Sequence, residues 1–514
     1  MDHLPVSELS TLSFPTAKHI RREHRQLFNK FLLHVIKLFL QAHGSLRPIS
    51  TEEPPPAAHT NMERAIKLLH VTPALLQSVD GRLTRQSRYE LFAVGDLGTM
   101  LAWLVSHAKQ ATRPPTQDDA ATKRARAENL AHQRGGLSKA ASLLLSPPSP
   151  PRNSETLELL RRKHPKESWE DIQKARKDAT ARLHQPPPGV SRIQEVEEPF
   201  STESVCATIR RGNPQSSGGP SGLRFSHLQE VLTPDLGEAI GQLSRLIFEG
   251  SRLPDSFWQL HTCSNLSAIG TKCRPVACGD VFRRIIGGTF CRQYSTQIAD
   301  HFEPLGQYGV SVAGGTELLA ARATLAYQQG YTLLTYDATN AFNSMSRRTI
   351  LPALADLIPP ALPYALNVYA REPPRLLYKT AMGETEIVQS CTGVQQGCNM
   401  GPLLFSAGLL QMLRDFRANP PVADASIMAF IDDIVILIPP KEATNPTAVG
   451  AVTDWLQTRL QPLGVHLNRG KSRVLFPSGM DVRSWPEDYR RTLDRTAHNR
   501  GGGGTYSRSP GGRT

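Results

Sequence analysis

Two apolar runs, Ile427–Ile431 and Ile434–Ile438, are separated only by Asp432-Asp433, and this interruption constrains the chain more than any other feature. Short apolar, largely β-branched runs on either side of a two-residue break read as a hairpin with carboxylates at its tip. Asp-Asp is not the Asn-Gly type of dipeptide that hairpin turns select. Two unit charges roughly 4 Å apart repel by about 4 kcal/mol at an effective dielectric near 20, so the tip must face water or share a cation. From this segment alone both readings stand, a solvated turn and a pair of metal ligands.

A second strand, Leu333-Leu334-Thr335-Tyr336, ends in another carboxylate, Asp337, and runs on through Ala338 to Ser344. If the two strands lie side by side in one sheet, Asp337 meets Asp432 and Asp433 in an all-oxygen set suited to Mg²⁺ or Mn²⁺. Such a set supports two-metal phosphoryl transfer. Between these strands lies Gly393-Val394-Gln395-Gln396-Gly397-Cys398-Asn399-Met400-Gly401, feeding the apolar Pro402–Phe405 stretch. Its glycines permit a ligand to approach the main chain, and they equally mark an ordinary helix start.

The surrounding texture defines the class. From about residue 200 to 476 apolar strands, helical stretches and Gly-containing turns alternate, which predicts an α+β domain. Upstream, residues 1–146 read as mainly helical, with a stripe of Phe28, Phe31, Leu32, Val35, Ile36 and Phe39 predicting an amphipathic helix within 18–43. Residues 147–200 carry proline clusters (147–151 and 186–188) flanking a charged stretch, 155–183, that reads as a solvated helix. Residues 477–514 are rich in Gly and Arg and read as a disordered tail. An excess of 59 Lys plus Arg over 46 Asp plus Glu, net +13, favours a polyanionic partner. The seven cysteines show no zinc-ribbon spacing and read as free thiols. No run has the length of a membrane span and no leader pattern opens the chain, so a soluble intracellular protein without a membrane partner is expected. The short basic stretch Lys123-Arg124-Ala125-Arg126 does not decide between nucleus and cytoplasm.

The order of segments across roughly residues 210–476 resembles the reverse transcriptases of non-LTR retroelements. Ser217–Arg224 resembles the first motif of that family, and Arg274-Pro275-Val276 with Gly279–Arg284 resembles its fingers segment. Asp337–Ser344, Gly393–Phe405 and Phe430-Ile431-Asp432-Asp433 resemble the three palm motifs, and Leu463-Gly464-Val465 with Leu467-Asn468 and Lys471-Ser472 the fourth. The resemblance implies a right-hand polymerase, with fingers over 201–305 and palm over 306–476. It implies RNA-directed DNA polymerisation, with a nucleic-acid template (RNA or DNA), a primer 3′ hydroxyl and dNTP as partners. Asp337 and Asp432 would be the shared ligands of two Mg²⁺ (or Mn²⁺) ions, with Asp433 more peripheral. Phe342 would lie under the sugar and exclude a 2′ hydroxyl, which argues against an RNA-synthesising relative. Arg274, helped by Lys272, would contact the triphosphate. Gln396 and Gly397 would lie near the nascent base pair, and Lys471 would protonate pyrophosphate.

Two departures accompany the match. The second palm motif commonly reads Gln-Gly-Asp-Pro-Leu-Gly, whereas this chain has Gln396-Gly397-Cys398-Asn399-Met400-Gly401, which removes a polar anchor and a rigid φ. Only 43 residues follow Lys471, and their Gly-rich end predicts a truncated or absent thumb. No endonuclease, zinc-finger or ribonuclease H segment can be read. The alternative function is accordingly a catalytically impaired, nucleic-acid-binding remnant of a retroelement polymerase.

Overall fold

The computed structural model describes residues 4–46, 56–78, 85–110, 120–132, 136–145, 150–188, 191–250, 252–468 and 470–477; the 478–514 tail lies outside them. The architecture is mixed helix and strand, as the texture predicts. Ten strands are present among the described residues: β1 Ser264–Ile269, β2 Arg274–Gly279, β3 Thr332–Tyr336, β4 Ala338–Thr339, β5 Arg375–Lys379, β6 Thr385–Gln389, β7 Ser426–Phe430, β8 Asp433–Ile438, β9 His466–Leu467 and β10 Arg473–Leu475. The chain divides into two compact units, neither of which is one continuous stretch. The first comprises Met1–Gln297 and Phe342–Gly408, and the second Ile298–Ala341 and Leu409–Thr514.

The first unit carries a four-stranded sheet in the order β2-β1-β5-β6, with β1 parallel to β5 and both outer pairs antiparallel. Gly383, at φ +86°, supplies the left-handed residue that closes the β5–β6 turn. One face of this sheet packs Leu266, Ala277, Leu376, Tyr378 and Val388 against Leu157 and Leu160. The stretch expected as one solvated helix is in fact two packed ones, Ser154–Arg162 and Trp169–His184. Pro165 has no N–H to donate and disfavours helix at His164, so the chain breaks there. The second helix buries Ile172, Ala175 and Ala179, which share one helical face despite the charged residues between them.

Upstream, the Phe28–Phe39 stripe does form a helix, Arg25–Gly44, beginning later than the pattern suggested. Its buried Phe28, Leu32, Val35, Ile36 and Phe39 face protein, and it packs against the Pro56–Gln77 helix. Among the described residues, no helix is long and apolar enough to cross a membrane. The seven cysteines are all free.

The second unit is built on an antiparallel sheet in the order β10-β3-β8-β7. One face packs Leu333, Met428, Val435 and Leu437 with Tyr308 and Ala326, the latter on the Gly315–Gln328 helix. The Pro446–Leu460 helix is also held to β3, through a 2.8 Å hydrogen bond between the Tyr336 and Thr453 hydroxyls. A two-stranded ribbon, β4 with β9, continues from the end of β3.

Candidate functional site

In the second unit the register decides which carboxylates become neighbours. Tyr336 pairs with Ile434, so Asp337 follows β3 at the same sheet end where Asp433 opens β8. The β7–β8 hairpin closes through Ile431 and Asp432, with Phe430 paired to Asp433. Ile431 takes φ +61° while Asp432 stays outside the left-handed region, the pattern of a type II′ turn. That first turn position favours Gly, and a β-branched residue there stores strain of order 1–2 kcal/mol.

The strain is held by a residue that sequence reading missed. Gln307 is fully buried. Its Oε1 accepts from the backbone N–H of Ile431 at 2.7 Å and of Gly309 at 3.0 Å, and its Nε2 donates to the Ile431 carbonyl at 3.2 Å. The Gly306–Tyr308 segment runs beside β7, with Ala429 N–H donating to Gly306 O at 2.7 Å and Tyr308 N–H to Ala429 O at 2.8 Å. A Cβ on Gly309 would stand 2.5 Å from the Ile431 nitrogen, so glycine lets the clamp close. The signal available in the sequence was Ile431 itself, a residue unsuited to its turn position.

Lys471 lies in the turn after β9, where Asn468 N–H donates to the Asp337 carbonyl at 2.7 Å and Lys471 N–H to Asn468 O at 3.0 Å. Its Nζ donates to both carboxylate oxygens of Asp337, each at 2.7 Å. Asp337 is therefore engaged by a cation. Asp432 is half-buried and Asp433 exposed. Among the described residues no three or more His, Cys, Asp or Glu side chains gather closely enough to hold a metal ion. Asp337, Asp432 and Asp433 nonetheless lie at one end of adjacent strands, all three with the oxygen donors that hard divalent cations prefer, and Asp337 already takes an ammonium on both its oxygens.

The first unit gathers a different group. Gln396 O accepts from Ala277 N–H at 2.7 Å, and a Cβ on Gly397, at φ +113°, would stand 2.5 Å from the Ala277 carbonyl. Gln396 and Gly397 therefore lie against β2, the strand that begins at the exposed Arg274. Lys272 is also exposed, in the β1–β2 turn, and its carbonyl accepts from Lys163 Nζ. Phe342 stacks on Phe405, with ring centroids 5.3 Å apart and planes at 13°. Its carbonyl accepts from Val394 N–H at 2.7 Å. The Ser217–Arg224 and Gly279–Arg284 segments also meet: Asp280 accepts from Ser221 N–H at 3.1 Å and Oγ at 2.6 Å, and Arg284 donates to Ser217 O at 3.0 Å.

Two buried arginines organise the Ser390–Cys398 loop. Arg347 donates to the carbonyls of Gly393 (3.0 Å), Tyr369 (2.9 Å), Ser390 (2.7 Å) and Thr392 (3.3 Å). Burial lowers its pKa to about 10, with Tyr369 and Glu167 pulling the other way, so it stays charged at neutral pH. Arg283 donates to Gln395 Oε1 at 2.9 Å and to the Tyr369 hydroxyl at 3.2 Å, with Cys398 Sγ 3.9 Å away. Burial acts to lower the Arg283 pKa, but Tyr369 and Cys398 more than offset it and leave it raised. Asn399 Nδ2 donates to Arg284 O at 2.9 Å. Cys398 and Asn399 therefore provide anchors of their own where the familiar Asp and Pro are missing. The sequence cue was a charged pair inside an apolar helical run, Val281-Phe282-Arg283-Arg284-Ile285-Ile286.

Residues 281–493 match the family profile described as Reverse transcriptase (RNA-dependent DNA polymerase). Asp337, Phe342, Gln396, Gly397, Asp432, Asp433 and Lys471 fall inside that stretch, while Lys272 and Arg274 precede it. The Retrotransposable element SLACS 132 kDa protein of Trypanosoma brucei gambiense is 28% identical over 220 residues, which cover 40% of this chain. The chain spans 17% of that relative's length.

Proposed function

We propose, for a chain that carries a reverse transcriptase domain of retroelement origin, that Asp337, Asp432 and Asp433 hold the divalent ions for nucleotidyl transfer from dNTP to a primer 3′ hydroxyl on a nucleic-acid template. The observation that carries this reading is the β3–β8 register, which sets Asp337 beside the Asp432-Asp433 turn at one end of adjacent central strands. Two divalent ions bound there would lower the pKa of the attacking hydroxyl and neutralise the leaving pyrophosphate. Lys471 would release Asp337 as the ions bind, leaving its ammonium free to donate a proton to the leaving group.

In the first unit, Arg274 and Lys272, both exposed, would take the triphosphate through charge-assisted hydrogen bonds. Gln396 and Gly397 would meet the new base pair, and Phe342, backed by Phe405, would deny space to a 2′ hydroxyl. Sheet β10-β3-β8-β7, within the 306–476 stretch, would be the palm, while β1 and β2 belong to the 201–305 fingers stretch and share their sheet with β5 and β6 from the palm stretch. Favouring the impaired alternative is the changed Cys398-Asn399 pair; against it stands the network that anchors both residues.

Primer extension on an RNA template with dNTP and Mg²⁺ tests the reading. D432N is expected to lose at least roughly a thousandfold in rate while still binding template. Wild-type extension no better than D432N would leave the non-catalytic remnant. F342A is expected to raise rNTP incorporation at least about tenfold; unchanged exclusion would remove the gate role from Phe342.

A further inference from the structure

Glu167 lies between the Ser154–Arg162 and Trp169–His184 helices, outside the stretch that matches the family profile. Its side chain is only 8% exposed. One carboxylate oxygen accepts from Ser346 Oγ and from Arg348 Nε at 3.1 Å. The other accepts from the Arg347 N–H at 3.0 Å and from Thr392 Oγ1 at 3.1 Å. An ionised carboxylate offers about four acceptor sites and no donor, so these four donors saturate it.

Two of those donors lead to the loop that carries Gln396 and Gly397. Thr392 immediately precedes Gly393, whose carbonyl is bound by Arg347 Nε. Arg347 begins the Arg347–Leu357 helix, and its guanidinium also holds Ser390 and Thr392. The flanking helices are fixed on the same unit: Gln173 Nε2 donates to Ala370 O at 2.9 Å, Arg182 pairs with Asp356 at 2.8 Å, and Lys163 donates to the carbonyls of Lys272 and Cys273. The segment 153–184 thus touches both the β1–β2 turn and the stem of the Ser390–Cys398 loop.

We propose that Glu167 is a positioning residue, acting through Thr392 and Arg347 to fix the Ser390–Cys398 loop and thereby the affinity for the incoming nucleotide; the nucleotide part rests on the function proposed above. A carboxylate that served only as a cap for the Arg347–Leu357 helix would have no need of the Thr392 hydroxyl. In E167Q one oxygen is replaced by an amide nitrogen, which turns a donor toward donors and breaks half of the set.

Hydrogen exchange and kinetics on the full chain test this together. Peptides covering 390–400 are expected to exchange at least about tenfold faster in E167Q and in T392V, with an intermediate effect in E167D, while peptides from β5 and β6 hold their wild-type rates. In primer extension the KM for dNTP is expected to rise about tenfold in E167Q and T392V, with kcat within about threefold. The double variant should fall clearly short of the product of the two single effects, because both variants act on the shared Glu167–Thr392 contact. Unchanged exchange over 390–400 overturns the proposal whatever the activity. Additive KM effects, or a loss confined to kcat and melting temperature, overturn it equally. If the wild-type chain extends no primer, the polymerase reading falls, while the exchange measurement still decides the positioning of the loop by Glu167.

Discussion

Replacing Gln307 with alanine removes the clamp on the Asp432-bearing turn without touching a carboxylate. Three hydrogen bonds go with it, to Ile431 N–H, Gly309 N–H and Ile431 O. At about 1 kcal/mol each, roughly 3 kcal/mol of support is withdrawn from the observed turn conformation. Ile431 is held at φ +61°, a state that costs about 1–2 kcal/mol, so the turn can recover part of the loss by relaxing. The global penalty should therefore be only about 1–2 kcal/mol, while the turn that aims Asp432, now disfavoured by its own strain of about 1–2 kcal/mol, is depopulated about tenfold. We expect kcat/KM for primer extension to fall about tenfold in Q307A, with a modest loss in urea unfolding of the chain. Adding I431G lifts the penalty on positive φ and should restore most of that loss. A Q307A enzyme within threefold of wild type, or one that I431G fails to improve, would refute the role of the strained turn.

Lys471 is partly exposed, so its pairing with Asp337 is worth at most about 1 kcal/mol. A divalent ion must displace it, and K471M should lower the half-saturating Mg²⁺ concentration about two- to fivefold; an unchanged metal response with kcat down roughly a hundredfold would make Lys471 an acid and nothing more. In the first unit, burial pushes His227 down to about 4 and His261 to about 3. Between pH 6.5 and about 4 the unfolded chain takes up protons that the folded one refuses. Stability should therefore be fully present above pH 6.5 and fall as pH drops, by roughly 1.4 kcal/mol per pH unit for each histidine. Urea midpoints measured across this range should fall less steeply in H227Q; an identical slope would contradict the assignment.

The second unit's β7–β8 hairpin was legible because apolar runs of that length rich in β-branched residues have few other uses, but its turn falls one residue earlier than the runs imply, at Ile431-Asp432, with Asp433 already opening β8. The Phe28–Phe39 helix was legible for the same kind of reason, a periodic stripe of large side chains. The 155–183 stretch hides its two packed helices because the buried face of the second is made of Ile172 and two alanines, which carry little hydrophobic signal, and only Pro165 marks the break between them. Glu167 and Arg347 carry no cue in the pattern, and the cues near Gln307 and Arg283 do not name their partners. Each works through groups distant in sequence, such as the separation of 124 residues from Gln307 to Ile431, and a single sequence carries no periodicity that reports such pairs.

The discontinuity of the second unit also affects how the chain is made. Strand β3 emerges from the ribosome as Thr332–Tyr336, but its partner β8 follows only after the whole Phe342–Gly408 stretch, and β10 later still. At about 5–20 residues per second, β3 waits roughly 5–20 s before it can be paired. During that interval Leu333 and Leu334, buried in the finished sheet, must be kept from other strands. Synthesis speed through residues 340–440 is therefore a variable that the folded structure makes consequential, and slowing it should lower the soluble yield of the chain.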